Sequence, residues 1–186
     1  MQPATSNRAI HVVDYDPEWP NLFQQVRERV WPSIRDVAIA IEHVGSTAVP
    51  GLAAKPVLDI DIVIPSRNEI QLAIARLSSL GYSHSGDLGI EDREVFTASP
   101  DGPAHHLYVC PSESVALLNH LTLRDHLRAH PSDIEKYSAL KKCLAEECGG
   151  DINCYVEGKT SFILAILGRH GLSAERLESI RRANRR

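Results

Sequence analysis

Residues 41–64 read IEHVGSTAVPGLAAKPVLDIDIVI, and this stretch decides the fold. Its second half, Val57 to Ile64, is an apolar run broken only by Asp59 and Asp61, and it reads as a β-strand. Side chains two apart on a strand share a face, with Cα atoms about 6–7 Å apart. Asp59 and Asp61 therefore project from one face, and Leu58, Ile60 and Ile62 from the other. Aspartate is poorly suited to strands, and an exposed edge strand more often carries Thr, Lys or Glu. Two ionised carboxylates side by side repel, so each needs a partner. A hard divalent cation, Mg²⁺ or Mn²⁺, satisfies both and leaves coordination positions for water and phosphate oxygens.

The first half ends a second expected strand, Val37 to Val44, at Gly45-Ser46-Thr47. Glycine there allows a phosphate close to the backbone. Successive N–H groups in a turn or helix start bind anions, and the Ser46 and Thr47 hydroxyls add donors. Helix capping is the structural alternative for both residues. Pro50-Gly51 breaks whatever begins there. Glu42 and His43, at the end of the strand, are placed to orient Ser46 or to assist the metal.

A Gly-Ser turn followed about a dozen residues later by Asp-x-Asp on a strand resembles the core signature of the polymerase-β-type nucleotidyltransferases. The blocks EHVGSTAVPGLAAKPVLDIDIVI, HHLYV, LRDHLRAHP and Tyr155-x-x-x-Lys159 look like those of the GrpB family, a nucleotidyltransferase-like group. The resemblance runs from about Val12 to Leu167. It implies an α+β fold, a nucleotidyltransferase-like mixed β-sheet flanked by helices with a mostly helical C-terminal part. It also implies a nucleotide cleft with Asp59 and Asp61 at its centre. Active members of the wider superfamily carry a third carboxylate on a neighbouring strand. His105 to Cys110 is that strand here, and it holds no Asp or Glu. His106 stands in its place as metal ligand or base. Tyr108 departs from the second histidine common in relatives.

Periodicity places the remaining elements. A helix is expected from Asn21 to Ile34 after Asp16-Pro17-Glu18-Trp19-Pro20, and another from Asn68 to Leu80 ending at Gly81. Ile10 to Val13 reads as a short strand. Glu94 to Ala98 and His105 to Cys110 read as a hairpin around Asp101-Gly102-Pro103. Helices follow over Ser114 to Ala129, Ser132 to Glu147 and Tyr155 to Gly168, with a short one from Ser173 to Arg182. Strands first and helices later argue α+β. The expected organisation is one domain over 10–170, sheet-rich to about 111 and helical from 112, with tails at 1–9 and 171–186.

Cations complete the candidate site. His120, Arg124 and Arg128 recur every four residues and form one helical stripe. Guanidinium groups opposite a metal are what a triphosphate needs. An ordinary ion pair of Arg124 with Asp125 or Glu113 is the alternative. Arg93, Lys55 and Lys159 are further phosphate candidates, with Tyr155 expected to stack beneath a base.

Composition bounds the function. A charged content of 24% with 43% hydrophobic residues is that of a globular chain with its own core. The net charge of −4 argues against a binder of long nucleic acid, which needs a basic surface. No run approaches membrane-spanning length. Cys110, Cys143, Cys148 and Cys154 form no C-x-x-C pair, so they read as small apolar residues in a reducing cytoplasm. The expected activity is transfer of a nucleotidyl group to a small-molecule or protein acceptor. A non-catalytic module for a nucleotide or phosphorylated metabolite, and a metal-dependent phosphohydrolase, are the alternatives.

Overall fold

The computed structural model describes residues 9–97 and 102–185. Residues 1–8 of the expected tail at 1–9, and Ala98 and Asp101 of the expected hairpin, lie outside them. The apolar run of the deciding stretch forms β2, Leu58–Ile64, and the segment before the Gly-Ser turn forms β1, Ala40–Val44. Ser83–His84 is β3, Glu94–Thr97 is β4 and His105–Pro111 is β5. They make one sheet in the order β1-β2-β5-β4-β3, in which only the β2–β5 pair is parallel. The sheet is mixed and the fold is α+β.

Period two divides β2 as its sequence requires. Leu58, Ile60, Ile62 and Ile64 are buried with Leu107, Val109 and Phe96 in the main core. Helix α1, Trp19–Ile34, covers that face with Trp19, Phe23, Val26, Val30 and Ile34. Helix α2, Ile70–Ser78, adds Ala73 and Leu77 after a capping box between Ser66 and Glu69. The opposite face of the sheet carries Asp59, Asp61, His106 and Tyr108, and closes on α3, Val115–Ala129, through Val63, Cys110, Ala116 and Leu117.

Helices α4, Pro131–Glu147, and α5, Ile152–Arg169, pack on the segment after the Gly-Ser turn through Val49, Leu52, Leu127, Tyr137 and Ile166. Helix α6, Ala174–Ala183, lies on α5 through Leu164, Leu167, Leu172 and Ile180.

Two expectations are corrected. The strand over Ile10 to Val13 is a single bridge, Val13 to Ala54, because Ile10 and Val12 turn instead into a cluster with Leu144, Cys148 and Tyr155. Cys148 and Cys154 are not free apolar residues but a disulfide. Gly149-Gly150, both at positive φ, turn α4 back into α5 and bring the two Cα atoms to 5.7 Å. Cys110 and Cys143 are free.

Candidate functional site

Strand register assembles the acidic face. Asp59 lies between Val44 of β1 and His106 of β5, and Asp61 between Glu42 and Tyr108. Glu42 thus brings a third carboxylate beside the pair, from β1 rather than β5. Each aspartate gives one oxygen to a histidine: Nδ1 of His106 donates to Asp59 Oδ1 at 3.0 Å, and Nδ1 of His120 to Asp61 Oδ2 at 2.8 Å. An ionised carboxylate only accepts, so each Nδ1 carries its proton. The other oxygen of Asp61, Oδ1, is buried without a hydrogen-bond partner.

The environment holds these charges. Partial burial pushes the Asp59 carboxyl up, but the His106 hydrogen bond and the charges of His106, His120 and Lys159 overcome that, leaving it below its ordinary value. For His120, burial lowers the pKa, yet the charge and hydrogen bond of Asp61 more than compensate and raise it. Asp61 is fully buried, whereas the His106 side chain is 51% exposed.

Gly45 closes against this pair. Its φ of 69° and ψ of −168° belong to a region open essentially to glycine alone. A Cβ there would stand 2.8 Å from the Asp59 Cβ and 2.9 Å from its Cγ. The backbone of the Gly-Ser turn therefore touches the carboxylate directly. Residues Ser46–Ala48 then form one 3-10 turn. Thr47 is buried with its hydroxyl 2.9 Å from His43 Nε2, so that hydroxyl braces the turn from inside. Burial, first, and the nearby Arg128 and Arg124 charges hold His43 at about 4, a neutral ring stacked on Phe23.

The cation stripe of α3 is divided. His120 reaches Asp61, as above. Arg124 spans Glu42 at 2.7 Å, the His43 carbonyl at 3.1 Å and Asp125 at 2.8 Å, tying α3 to β1 beside the site. Arg128 donates twice to the Ala48 carbonyl, at 3.0 and 2.8 Å, and fixes the end of the 3-10 turn. Arg93 lies over the Tyr108 ring at 4.8 Å, on the α3 side of the sheet.

A second group of cations comes from the other flank. Lys141 of α4 is fully buried, and its Nζ donates to Ser46 Oγ at 2.9 Å and to the Ala53 carbonyl. Burial, reinforced by Lys159, lowers its pKa to about 7 although Asp59 opposes the shift. Lys159 is lowered to about 8 by burial and by Lys55, again against Asp59. Lys55 and Lys159 lie over the Tyr155 ring at 5.7 and 4.3 Å. Tyr155 itself is 1% exposed, so the expectation that it stacks beneath a base is corrected: the ring is a buried platform for two ammonium groups.

Lys141 escaped the sequence reading because lysine on a helix is ordinarily a surface residue. Its signal was position: it lies on the buried stripe Tyr137, Lys141, Leu144, where an apolar residue belongs. Among the described residues, no group of three or more His, Cys, Asp or Glu side chains is arranged to hold a metal. Any cation would rest on Asp59 and Asp61 and take its remaining ligands from elsewhere.

A family model described as GrpB protein matches residues 9–169. The UPF0157 protein PA4798 of Pseudomonas aeruginosa is 36% identical over 164 residues, covering 86% of this chain and 67% of that protein. The UPF0157 protein YqkA of Bacillus subtilis is 33% identical over 156 residues, covering 84% of this chain. The chain spans 46% of that relative's length. The crystal structure of the conserved protein GrpB from Enterococcus faecalis superposes with a TM-score of 0.76 at 28% identity, over 90% of this chain and 98% of that one. Among the described residues, no helix is long and apolar enough to cross a membrane.

Proposed function

The chain belongs to the GrpB family, with its nucleotidyltransferase-like fold, and on that premise we propose that the acidic face binds a nucleoside triphosphate with a divalent cation and transfers its nucleotidyl group to a small-molecule or protein acceptor. The observation that carries this reading is the contact between the Gly45 turn and Asp59, with buried Asp61 beside it and Lys141 behind Ser46. Anionic metal ligands and phosphate donors thereby share one surface.

The residues fit a cation such as Mg²⁺ or Mn²⁺. Each aspartate spends one oxygen on a histidine, and Asp61 Oδ1 is a buried acceptor with no partner. Two carboxylates with phosphate oxygens and water are a usual Mg²⁺ set. Bound there, the cation would neutralise phosphate charge and orient the triphosphate.

The chain's own groups do the rest. Lys141 donates to Ser46 Oγ, which turns the Ser46 proton outward, toward a phosphate oxygen. The turn N–H groups would bind the same anion, and the charge of Lys159, which acts on Asp59 and Lys141, would add to the field there. Lys55 adds charge from the Tyr155 platform. Arg124 and Arg128 hold Glu42 and the Ala48 carbonyl and so keep the turn in place. His106, oriented through Nδ1 by Asp59, has Nε2 left to take the proton from an acceptor hydroxyl. That oxygen bonds to the α-phosphorus as the bond to the β-phosphate oxygen breaks, and pyrophosphate leaves.

A second reading has its own observation. Opposite Asp59 and Asp61, β5 places His106 and Tyr108, not a carboxylate. A cleft so furnished can hold nucleotide without transferring it. Product analysis with labelled triphosphate separates the readings. Pyrophosphate together with a nucleotidylated acceptor supports transfer, and its loss in His106→Ala assigns the base. Bound nucleotide without product supports the binding module, and free orthophosphate the hydrolase.

A further inference from the structure

Arg93 is a guanidinium without an anion. Among the described residues it makes no hydrogen bond or ion pair, and its Nε is buried with no partner. The two acids that precede it in sequence are already engaged: Arg67 holds Glu91 and Asp92, each at 2.6 Å. An arginine remains charged in any protein environment, and the buried Nε–H left without an acceptor carries an unmet hydrogen-bonding demand that an oxyanion would satisfy.

Arg93 lines a cavity of about 330 Å³ with Ile90, Ala116, Asn119, His120 and Ile180. That is within the usual range of a small-molecule site. The walls mix apolar side chains with an amide, an imidazole, the guanidinium groups of Arg93 and Arg182, and the carboxylates of Glu91 and Asp92, both already paired with Arg67. The imidazole is that of His120, which bonds Asp61, so the cavity shares a wall with the carboxylate site. The cavity is separate from the Ser46, Lys141 and Lys159 side, where the nucleotide phosphates are placed above.

We propose that this cavity is the acceptor subsite, taking a small molecule with a carboxylate or phosphate group that pairs with Arg93. The assignment as acceptor subsite rests on the nucleotidyl-transfer reading, whereas the anion site itself does not. A fork of donors over a planar or tetrahedral oxyanion gives charge-assisted, directional contacts. Asn119 supplies both a donor and an acceptor for the remainder of the ligand.

The test is NMR of the full chain with labelled arginine, following the Nε–H signal of Arg93 during titration with inorganic phosphate and, separately, with succinate. The signal is assigned by its loss in Arg93→Gln. A saturable shift with at least one anion is expected, and the anion that saturates identifies the group recognised. Ala183→Trp fills the cavity from α6 while leaving Arg93 in place, and should weaken that binding by about tenfold or more. Neither anion shifting the signal, or binding unchanged in Ala183→Trp, overturns the proposal. Binding of Mg²⁺ and nucleotide is measured on the wild type in parallel. An anion response without any nucleotide binding would overturn the acceptor assignment together with the nucleotide reading, and leave the anion site standing.

Discussion

Gly45 is the residue on which the site turns. Its backbone angles exclude other residues, and Asp59 occupies the space a side chain would need. Gly45→Ala should therefore cost about 1–3 kcal/mol of backbone strain alone, read as a lower denaturation midpoint, and should displace Asp59. Metal-dependent nucleotide binding is expected to fall further than stability does. Lys141 makes the second residue-scale prediction. An unfolded lysine titrates near 10.4, but the folded Lys141 titrates at about 7. Between those values the unfolded chain binds the extra proton, so stability rises with pH across that window. Thermal melts at pH 7 and pH 9 should show the rise in wild type and a smaller one in Lys141→Met. A residual slope remains, because Lys159 at about 8 contributes with the same sign. Equal slopes in the two proteins would refute the buried, depressed lysine. Asp59 and Asp61 were legible from sequence because the strand period is two and needs no tertiary information. Lys141 was not, because its partner Ser46 lies far away in sequence and only the packing of α4 brings them together.

The elements carry their own prediction. The disulfide between Cys148 and Cys154 joins the end of α4 to the first turn of α5, next to Tyr155. Because it closes a short loop, its removal in Cys148→Ser should cost only about 2 kcal/mol by the chain-entropy model. The same two helices carry Lys141 and the Tyr155 platform, so nucleotide affinity should weaken modestly in parallel. A variant as stable as wild type would show that helix packing alone fixes this corner. The sheet and the helical second half were readable because each strand and helix shows its period within its own residues. The bridge at Val13 and the disulfide were not. The first depended on where Ile10 and Val12 find apolar partners, and the second on the direction of a Gly-Gly turn.

At the scale of the molecule, a net charge of −4 conceals a concentration of cations around one acidic face. Lysines arrive from α4 and α5, arginines and a histidine from α3, and His106 from β5, while the deciding stretch supplies Asp59, Asp61 and the Gly45 turn. On the proposed reading, Asp59 and Asp61 are the groups that hold the metal and, through it, the nucleotide. The most direct measurement is isothermal titration calorimetry with a panel of nucleoside triphosphates, with Mg²⁺ and with EDTA, on wild type, Asp59→Asn and Asp61→Asn. Wild type should bind at least one nucleotide only with Mg²⁺, and each variant should weaken it by about 1.5–3 kcal/mol, tenfold or more, while keeping its fold. Nucleotide affinity that is the same in EDTA, or unchanged in both folded variants, would contradict the assignment of this face.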